Sequence, residues 1–267
     1  MVSYDFIYSV VAHESPECIW NLRDNIVKTH QGKKVLLVVS VNNYLAEVMP
    51  YDGTSRDHVV FNSDIRDRQK YTSDIFLAHI SNYRMVENYS FSYFCTLASN
   101  CLFLKSPDYE LIEMDTPKLT VTGNHPGFNI PDTTANFWDE FRKNDIILRF
   151  FKEFNIEPVL RNHEGAYYRR SVINYISWAA VLGGVKKEAF TNDVLAFEEV
   201  LFPSLEKLAT GVVSRRFCGL IPEIKESDIM SIFTTGGCPS LIGNHYNIVK
   251  VPRDMGNPLR KLVNSLV

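Results

Sequence analysis

The sequence predicts an α/β fold, a three-layer α/β/α sandwich around a mostly parallel central sheet. Two observations predict it. Short, mostly apolar runs alternate along the chain with segments whose apolar residues recur at helical spacing. The chain also opens on a strand, a helix and a second strand, which implies parallel pairing and a right-handed crossover.

The opening elements are marked by clear boundaries. Residues 6–12 form an apolar run typical of a buried strand. A helix follows, because Ser15 is a favoured capping residue and Pro16 suits the first helical position. Gly32 lies where this helix is predicted to end, and residues 34–41 are predicted to form a second buried strand.

The middle of the chain continues the alternation. Residues 59–61 predict a third, short strand, and helical spacing predicts a helix over residues 73–89. Residues 93–98 form another buried apolar run. The segment 107–130 is polar and rich in turn-forming residues, which is typical of a long functional loop. A helix is predicted over residues 137–154.

The last third predicts a short strand over residues 158–160 and a helix over 171–182 that two glycines end. A further helix is predicted over 197–208, where Pro203 implies a kink or an early break. A strand is predicted over 245–251. No internal repeat, low-complexity tract or linker interrupts the pattern, so one domain over the whole chain is the simplest interpretation.

Composition excludes several classes of function. The net charge is −3 and the pI is about 6.2, which does not favour a nucleic-acid partner. The five cysteines are odd in number and none has CxxC spacing, which indicates a reducing compartment without a disulfide framework or a zinc site. Neither a signal peptide nor a membrane-spanning run is recognisable, so we expect a cytoplasmic protein. It could also be one domain of a longer chain.

Polar residues follow the ends of the predicted strands. In open α/β sheets, ligands bind beyond the carboxyl ends of the strands. His13, Asn42, Ser99 and Asn100 occupy such positions. They are therefore candidate ligand-binding residues.

Motifs for common cofactors are missing. The patterns GxGxxG, GxxxxGK[ST], HExxH and GxSxG do not occur. Asp64 and Asp67 are the closest approach to a metal-binding acidic pair, but an arginine lies between them and a solvated loop is favoured. A diphosphate can instead be neutralised by basic side chains. Lys250, Arg253 and Arg260 could do this, although a solvent-exposed basic tail explains them equally well.

Three glutamates are candidates for chemistry. Glu198 and Glu199 lie side by side near the start of a predicted helix, and only one of them can face a site. An apolar wall raises the pKa of such a carboxyl, which can then accept a proton from an alcohol. On the pattern alone, a surface glutamate is favoured. Glu164 could bind sugar hydroxyls, and Gly165 would let a substrate approach the backbone, although a structural turn is equally favoured.

These short sequence patterns, taken in their order along the chain, resemble those of the core-2/I-branching and peptide-xylosyltransferase-like glycosyltransferases, including bacterial relatives. The run Tyr8-Ser-Val-Val-Ala-His13 with Pro16 resembles the family's first strand and proline-started helix. His163-Glu-Gly-Ala-Tyr-Tyr168 resembles its "GsxWfxLsrxxvxYi" stretch. Glu198-Glu-Val-Leu-Phe-Pro-Ser204 resembles "PDEhfwxT", whose second acid is the family's general base.

The resemblance implies a Rossmann-type, GT-A-like domain over residues 1–267, with a nucleotide-binding half of about 1–105 and an acceptor-binding, catalytic half of about 106–267. It implies an inverting transferase that uses a nucleotide sugar, such as a UDP-linked N-acetylhexosamine or xylose, and no metal or other cofactor. The acceptor would be a glycan or glycolipid of a bacterial surface polysaccharide such as lipopolysaccharide. Peripheral contact with a membrane is compatible with it.

The resemblance also implies residue roles, with Glu199 as catalytic base. Donor-binding residues would be His13, Asn42, Ser99, Asn100, Lys250, Arg253 and Arg260, and acceptor-binding residues would be Glu164, Gly165, His125 and Tyr167. Asn42 and Leu102 depart from the family pattern, which usually has Asp at both positions, so the sugar stays open. Two alternatives remain: a metal-dependent transferase with another acidic pair, and a catalytically silent glycan-binding module.

Overall fold

The chain folds into an α/β structure, described here from a computed structural model. The described residues are 3–13, 15–48, 58–66, 74–120, 128–130, 136–185, 196–219, 224–235 and 247–267. The strands are β1 (Ser3–Ala12), β2 (Val35–Asn42), β3 (Val59–Arg66), β4 (Ser90–Ala98), β5 (Cys101–Phe103), β6 (Tyr167–Arg169), β7 (Cys218–Gly219) and β8 (Ile248–Lys250). The helices are α1 (Pro16–Thr29), α2 (Asn43–Val48), α3 (Asp74–Val86), α4 (Tyr109–Asp115), α5 (Asn136–Lys143), α6 (Asp145–Glu153), α7 (Arg170–Leu182), α8 (Glu198–Thr210), α9 (Glu226–Thr235) and α10 (Pro258–Leu266).

A mostly parallel sheet forms the centre of the fold. Its five strands lie in the order β3-β2-β1-β4-β6, with β1 to β4 parallel and β6 antiparallel to β4. A smaller sheet has the order β5-β8-β7. The prediction of an α/β fold with a mostly parallel sheet is confirmed. Among the described helices, none is long and apolar enough to cross a membrane.

The two faces of the central sheet bury separate apolar cores. Along β1, Phe6, Tyr8 and Val10 contribute to one core, which also includes apolar residues of α1, α9 and α10. Ile7 contributes to the other core, which contains residues of α3, α5, α6, α7 and α8. This alternation follows from the period of two in a strand, which sends successive side chains to opposite faces. Helices therefore cover both faces of the sheet.

The predicted opening is confirmed, with one difference in the cap. Pro16 is in the first turn of α1 and Ser15 is the N-cap residue. The Ser15 hydroxyl makes no capping hydrogen bond and instead donates to Glu17 Oε2 at 2.7 Å. Gly32 has φ +75°, a left-handed conformation that a residue with a Cβ adopts at a cost. It lies in the turn between α1 and β2, as predicted.

Two predictions for the middle of the chain are wrong in detail. The loop predicted over residues 107–130 contains α4, because Asp108 caps it by accepting a hydrogen bond from Leu111 N at 3.0 Å. The single helix predicted over 137–154 is two helices, since Asn144 ends one and caps the next through Ile147 N. In both places, a short polar side chain satisfies the backbone amides that a new helix leaves open.

The strand predicted over residues 158–160 is also wrong. The Val159 amide donates to Ser204 Oγ of α8 at 2.7 Å, so the segment packs on a helix and not in a sheet. The edge strand is β6, seven residues later, where Tyr168 pairs with Phe94 of β4. At the chain end, α10 was not predicted, and Asn257 caps it through Leu259 N at 2.9 Å.

Candidate functional site

A cavity of about 170 Å³ opens at the carboxyl edge of the parallel strands. Val11 and His13 line it from the end of β1, and Leu97 and Ala98 line it from the end of β4. This is the edge at which open α/β sheets bind ligands. Its polar lining comes from five separate segments and consists of His13, His79, His163, Glu164, Glu198, Glu199, Lys250 and Arg253.

Pro203 determines how Glu199 is held in the first turn of α8. A proline has no amide hydrogen, so Pro203 cannot donate to the carbonyl of Glu199 four residues earlier. The Arg161 amide instead donates a hydrogen bond to that carbonyl at 2.8 Å. The next side chain, Asn162, then donates through Nδ2 to Glu199 Oε1 at 3.1 Å. The backbone carbonyl and the side-chain carboxylate of Glu199 therefore both accept hydrogen bonds from the same loop, from Arg161 and Asn162.

The Glu199 carboxyl lies in an environment suited to a base. Burial raises its pKa above the ordinary value for a glutamate, and the nearby Glu164 carboxylate adds to the rise. Lys250 and Arg216 act in the opposite direction. A carboxylate with a raised pKa has more affinity for a proton, which is what abstraction from an alcohol requires. Partial exposure leaves the group accessible from the cavity.

Glu198 is more deeply buried than its neighbour. Only 4% of it is exposed, yet it also lines the cavity. Burial raises its pKa to about 8, and the charges of Glu199 and Glu164 add to the effect. Its Oε2 atom has no hydrogen-bond partner among the described residues. Both acids therefore reach the cavity, whereas the sequence predicted that only one would.

Glu164 and Lys250 form an ion pair inside the site. Lys250 Nζ lies 2.6 Å from Glu164 Oε1 and 2.8 Å from Oε2. Burial opposes the charge on each partner, but their mutual attraction prevails, so the pKa of Glu164 is lowered and that of Lys250 is raised. The sequence assigned these residues to separate ligands. The structure instead makes each the nearest counter-charge of the other.

Asn100 positions the strand end that carries the basic residues. Its backbone carbonyl accepts from Val251 N at 3.1 Å, and its Nδ2 donates to Val251 O at 2.9 Å. Val251 lies between Lys250 and Arg253, both of which line the cavity. Ser99 is fully buried. The cavity lining includes neither Ser99 nor Asn100, so the structure gives no contact for their predicted role in donor binding.

His13 and Asn42 are joined as predicted neighbours at the strand ends. Asn42 Nδ2 donates to the His13 carbonyl at 3.0 Å, while its Oδ1 accepts from Leu45 N at 3.0 Å. The amide of Asn42 is thus occupied in connecting the end of β1 to the start of α2. His13 lines the cavity and Asn42 supports it from behind.

Three predicted contacts are corrected by the packing. A Cβ at Gly165 would lie 2.5 Å from Cys218 N, and its φ is +72°, so this glycine makes room for β7 and not for a substrate. Tyr167 is fully buried, with its hydroxyl 3.4 Å from that of Tyr8. Arg260 is buried too: it donates to the Pro252 carbonyl at 3.0 Å and to Asn21, which ties α10 to α1.

Three other candidates lie apart from the site or outside the described residues. Asp64 is exposed on β3, where it accepts from Ser81 Oγ at 2.7 Å, and it does not line the cavity. Asp67 and His125 lie outside the described residues. Among the described residues, no group of three or more His, Cys, Asp or Glu side chains has an arrangement that could hold a metal ion.

Sequence reasoning missed His79 and assigned no role to His163. His79 Nδ1 lies 2.7 Å from Ser9 Oγ of β1, and its ring contacts that of His163 at 5.3 Å between centroids. His163 also stacks on Phe202 of α8. A signal for His79 was available, since it lies one turn after Ile75 on the same face of α3 and both line the cavity.

Neither models of known protein families nor curated proteins show any match to this chain.

Proposed function

We propose that the chain is an inverting, metal-independent glycosyltransferase of the GT-A type, related to the core-2/I-branching family. It would transfer a sugar, an N-acetylhexosamine or xylose, from a nucleotide donor to a hydroxyl of a glycan or glycolipid. The setting would be surface-polysaccharide synthesis on the cytoplasmic side of a bacterial membrane. One observation carries the proposal: Glu199 meets Lys250 and Arg253 in a cavity at the carboxyl edge of the parallel sheet.

Glu199 is the proposed catalytic base. It is accessible from the cavity, its pKa is raised by burial, and Asn162 orients its carboxylate through Oε1. The other oxygen can accept the proton of an acceptor hydroxyl. A positioned general base contributes about 10²- to 10⁴-fold to a rate.

Arg253 is the better candidate for the donor diphosphate. Lys250 already faces Glu164, so part of its charge is compensated before a ligand arrives. A guanidinium can bind phosphate oxygens through two parallel hydrogen bonds. Lys250 then contributes positive charge beside the leaving group, and Glu164 keeps that lysine in place.

The reaction balances with these groups alone. As the acceptor oxygen forms its bond to the anomeric carbon, Glu199 takes the hydroxyl proton. The bond between that carbon and the diphosphate oxygen breaks on the opposite face, and its electron pair leaves with the nucleoside diphosphate. Arg253 and Lys250 stabilise the charge that develops there, a role for fixed cations in a partly desolvated site. Attack from the face opposite the leaving group inverts the anomeric configuration.

The Glu199→Gln variant tests the proposal. We expect it to bind a nucleotide donor as the wild type does and to lose transfer by about 10²- to 10⁴-fold. The readout is product formation in a screen of UDP-sugars, with donor binding followed by thermal shift. Glu206→Gln is the matched control, because Glu206 is a buried glutamate of the same helix that does not line the cavity.

The outcomes separate the alternatives. Wild-type turnover in Glu199→Gln would refute the assignment of the base. Activity that chelation by EDTA abolishes and Mn²⁺ restores would favour a metal-dependent transferase. Glycan binding without any transfer from any donor would indicate a glycan-binding module.

A further inference from the structure

Two buried polar side chains in the cavity wall have hydrogen-bonding atoms without partners. Glu198 is 4% exposed and its Oε2 has no partner among the described residues. His163 is 5% exposed and the same is true of its Nδ1. They come from different segments, α8 and the loop before β6, and both line the same cavity. Leaving a buried polar group unpaired is unfavourable, so two in one place need an explanation.

We propose that Glu198 and His163 form a hydrogen-bonding subsite in the cavity wall, which binds a neutral polar group of the ligand, a sugar hydroxyl or acetamido group. The proposal rests on the proposed function in taking that ligand to be a sugar. It assigns to Glu198 a binding role distinct from the proton transfer proposed for Glu199.

Burial favours the uncharged form of both side chains. Burial raises the pKa of Glu198 to about 8 and lowers that of His163 to about 4. The protonated carboxyl has one O–H donor and retains acceptor capacity, and a neutral imidazole has one donor and one acceptor. Such a pair matches the alternating donors and acceptors of a hydroxyl or an amide. A phosphate, which carries negative charge, would repel the carboxyl once it ionised.

The charges around Glu198 also favour a neutral group. Glu164 is paired with Lys250, and the lining holds one further acid, Glu199, and one further cation, Arg253. The other titratable groups in the lining are His13 and His79. The opposite charges in the cavity therefore balance without a charged ligand at the Glu198 subsite.

The experiment measures binding of free N-acetylglucosamine and xylose by saturation-transfer NMR at about pH 6.5 and about pH 9. The affinity of the wild type for either sugar should be about tenfold lower at the higher pH than at the lower pH. The reason is that little of a carboxyl with a pKa of about 8 remains protonated at about pH 9. Glu198→Gln should bind as the wild type does at the lower pH and lose this dependence, since an amide keeps a donor at both pH values. Glu198→Ala should bind at least tenfold more weakly at the lower pH.

Glu206→Gln is again the control. Burial raises the pKa of Glu206 to about 7, but this residue lies outside the cavity lining, so its variant should keep the wild-type affinity and pH dependence. An unchanged thermal melt shows that each variant is folded. A His163→Leu variant should weaken binding at both pH values alike.

Several results would overturn the subsite. They are an unchanged pH dependence in Glu198→Gln, wild-type affinity in Glu198→Ala, or no binding of either sugar to the wild type. Transfer from a nucleotide sugar without the Glu198-linked pH dependence would leave the proposed function standing and remove the subsite. Sugar binding with that pH dependence but without transfer would leave the subsite standing and refute the proposed function.

Discussion

Two buried histidines show how the core and the cavity differ. Burial lowers the pKa of His30, at the end of α1, and of His163, in the cavity wall, to about 4. His30 Nδ1 lies 3.0 Å from the Ile26 carbonyl, which can only accept, so this nitrogen carries the proton. His30 Nε2 then accepts from the Tyr8 hydroxyl at 2.5 Å. His163 Nδ1 has no partner among the described residues. The core thus satisfies both nitrogens of its buried imidazole, whereas the cavity wall leaves Nδ1 of His163 unsatisfied by the described residues.

The largest effect on stability is expected at the buried ion pair between Lys250 and Glu164 in the cavity. Lys250→Met leaves Glu164 buried without its cation, and breaking a buried ion pair typically costs about 3–5 kcal/mol. Lys250 retains some exposure, so we expect a loss of about 3 kcal/mol in the free energy of unfolding. Denaturation by urea measures it.

A double variant sharpens this prediction. Adding Glu164→Gln to Lys250→Met removes the uncompensated charge, so most of the lost stability should return. Equal losses in the single and the double variant would mean that Lys250 stabilises the fold through its apolar stem and not through the ion pair.

The next effect compares the two histidines directly. Among the described residues, His30→Leu leaves the Tyr8 hydroxyl with only the Tyr167 hydroxyl, 3.4 Å away, so we expect a loss of about 2 kcal/mol at neutral pH. His163→Leu removes a nitrogen that has no partner among the described residues and keeps an apolar contact with Phe202, so stability should change by less than about 1 kcal/mol. Urea denaturation measures both variants.

The dependence on pH follows from the lowered pKa of both rings. Each imidazole takes up its proton near pH 6.5 when unfolded but only near pH 4 when folded, so the wild type loses stability as the pH falls between these values. Leucine variants lack this linkage. The deficit of His30→Leu should therefore narrow as the pH falls towards about 4. A deficit that stays constant would mean that His30 does not have this lowered pKa.

Much of the fold could be predicted because its signals are local. The strands β1, β2 and β4 are mostly apolar runs, and α1 begins at a proline. The edge strand β6 was missed because three residues carry no usable period, and only its pairing with β4 makes it a strand. The helix α4 was missed because the segment around it is polar and rich in turn-forming residues, which is typical of a loop.

The site was predictable only in part. Position after a strand identified His13, and the family resemblance identified Glu199, Lys250 and Arg253, which the structure places in one cavity. Whether the other predicted residues reach the site depended on their burial. Tyr167 and Arg260 are the same residue types that bind sugars and phosphates at surfaces, but tertiary packing places them in the interior, and no local pattern states this.

The smallest effect tests how redundantly the core satisfies His30. Thr29 Oγ1 lies 2.8 Å from the Asn25 carbonyl and 3.0 Å from His30 Nδ1. Thr29→Val keeps the shape and removes the hydroxyl, so we expect a loss of about 1 kcal/mol, the typical contribution of one hydrogen bond. The proton on His30 Nδ1 still has the Ile26 carbonyl, so the pH dependence of stability should match that of the wild type. A loss as large as that of His30→Leu would instead show that the hydroxyl, and not the carbonyl, holds the ring in place.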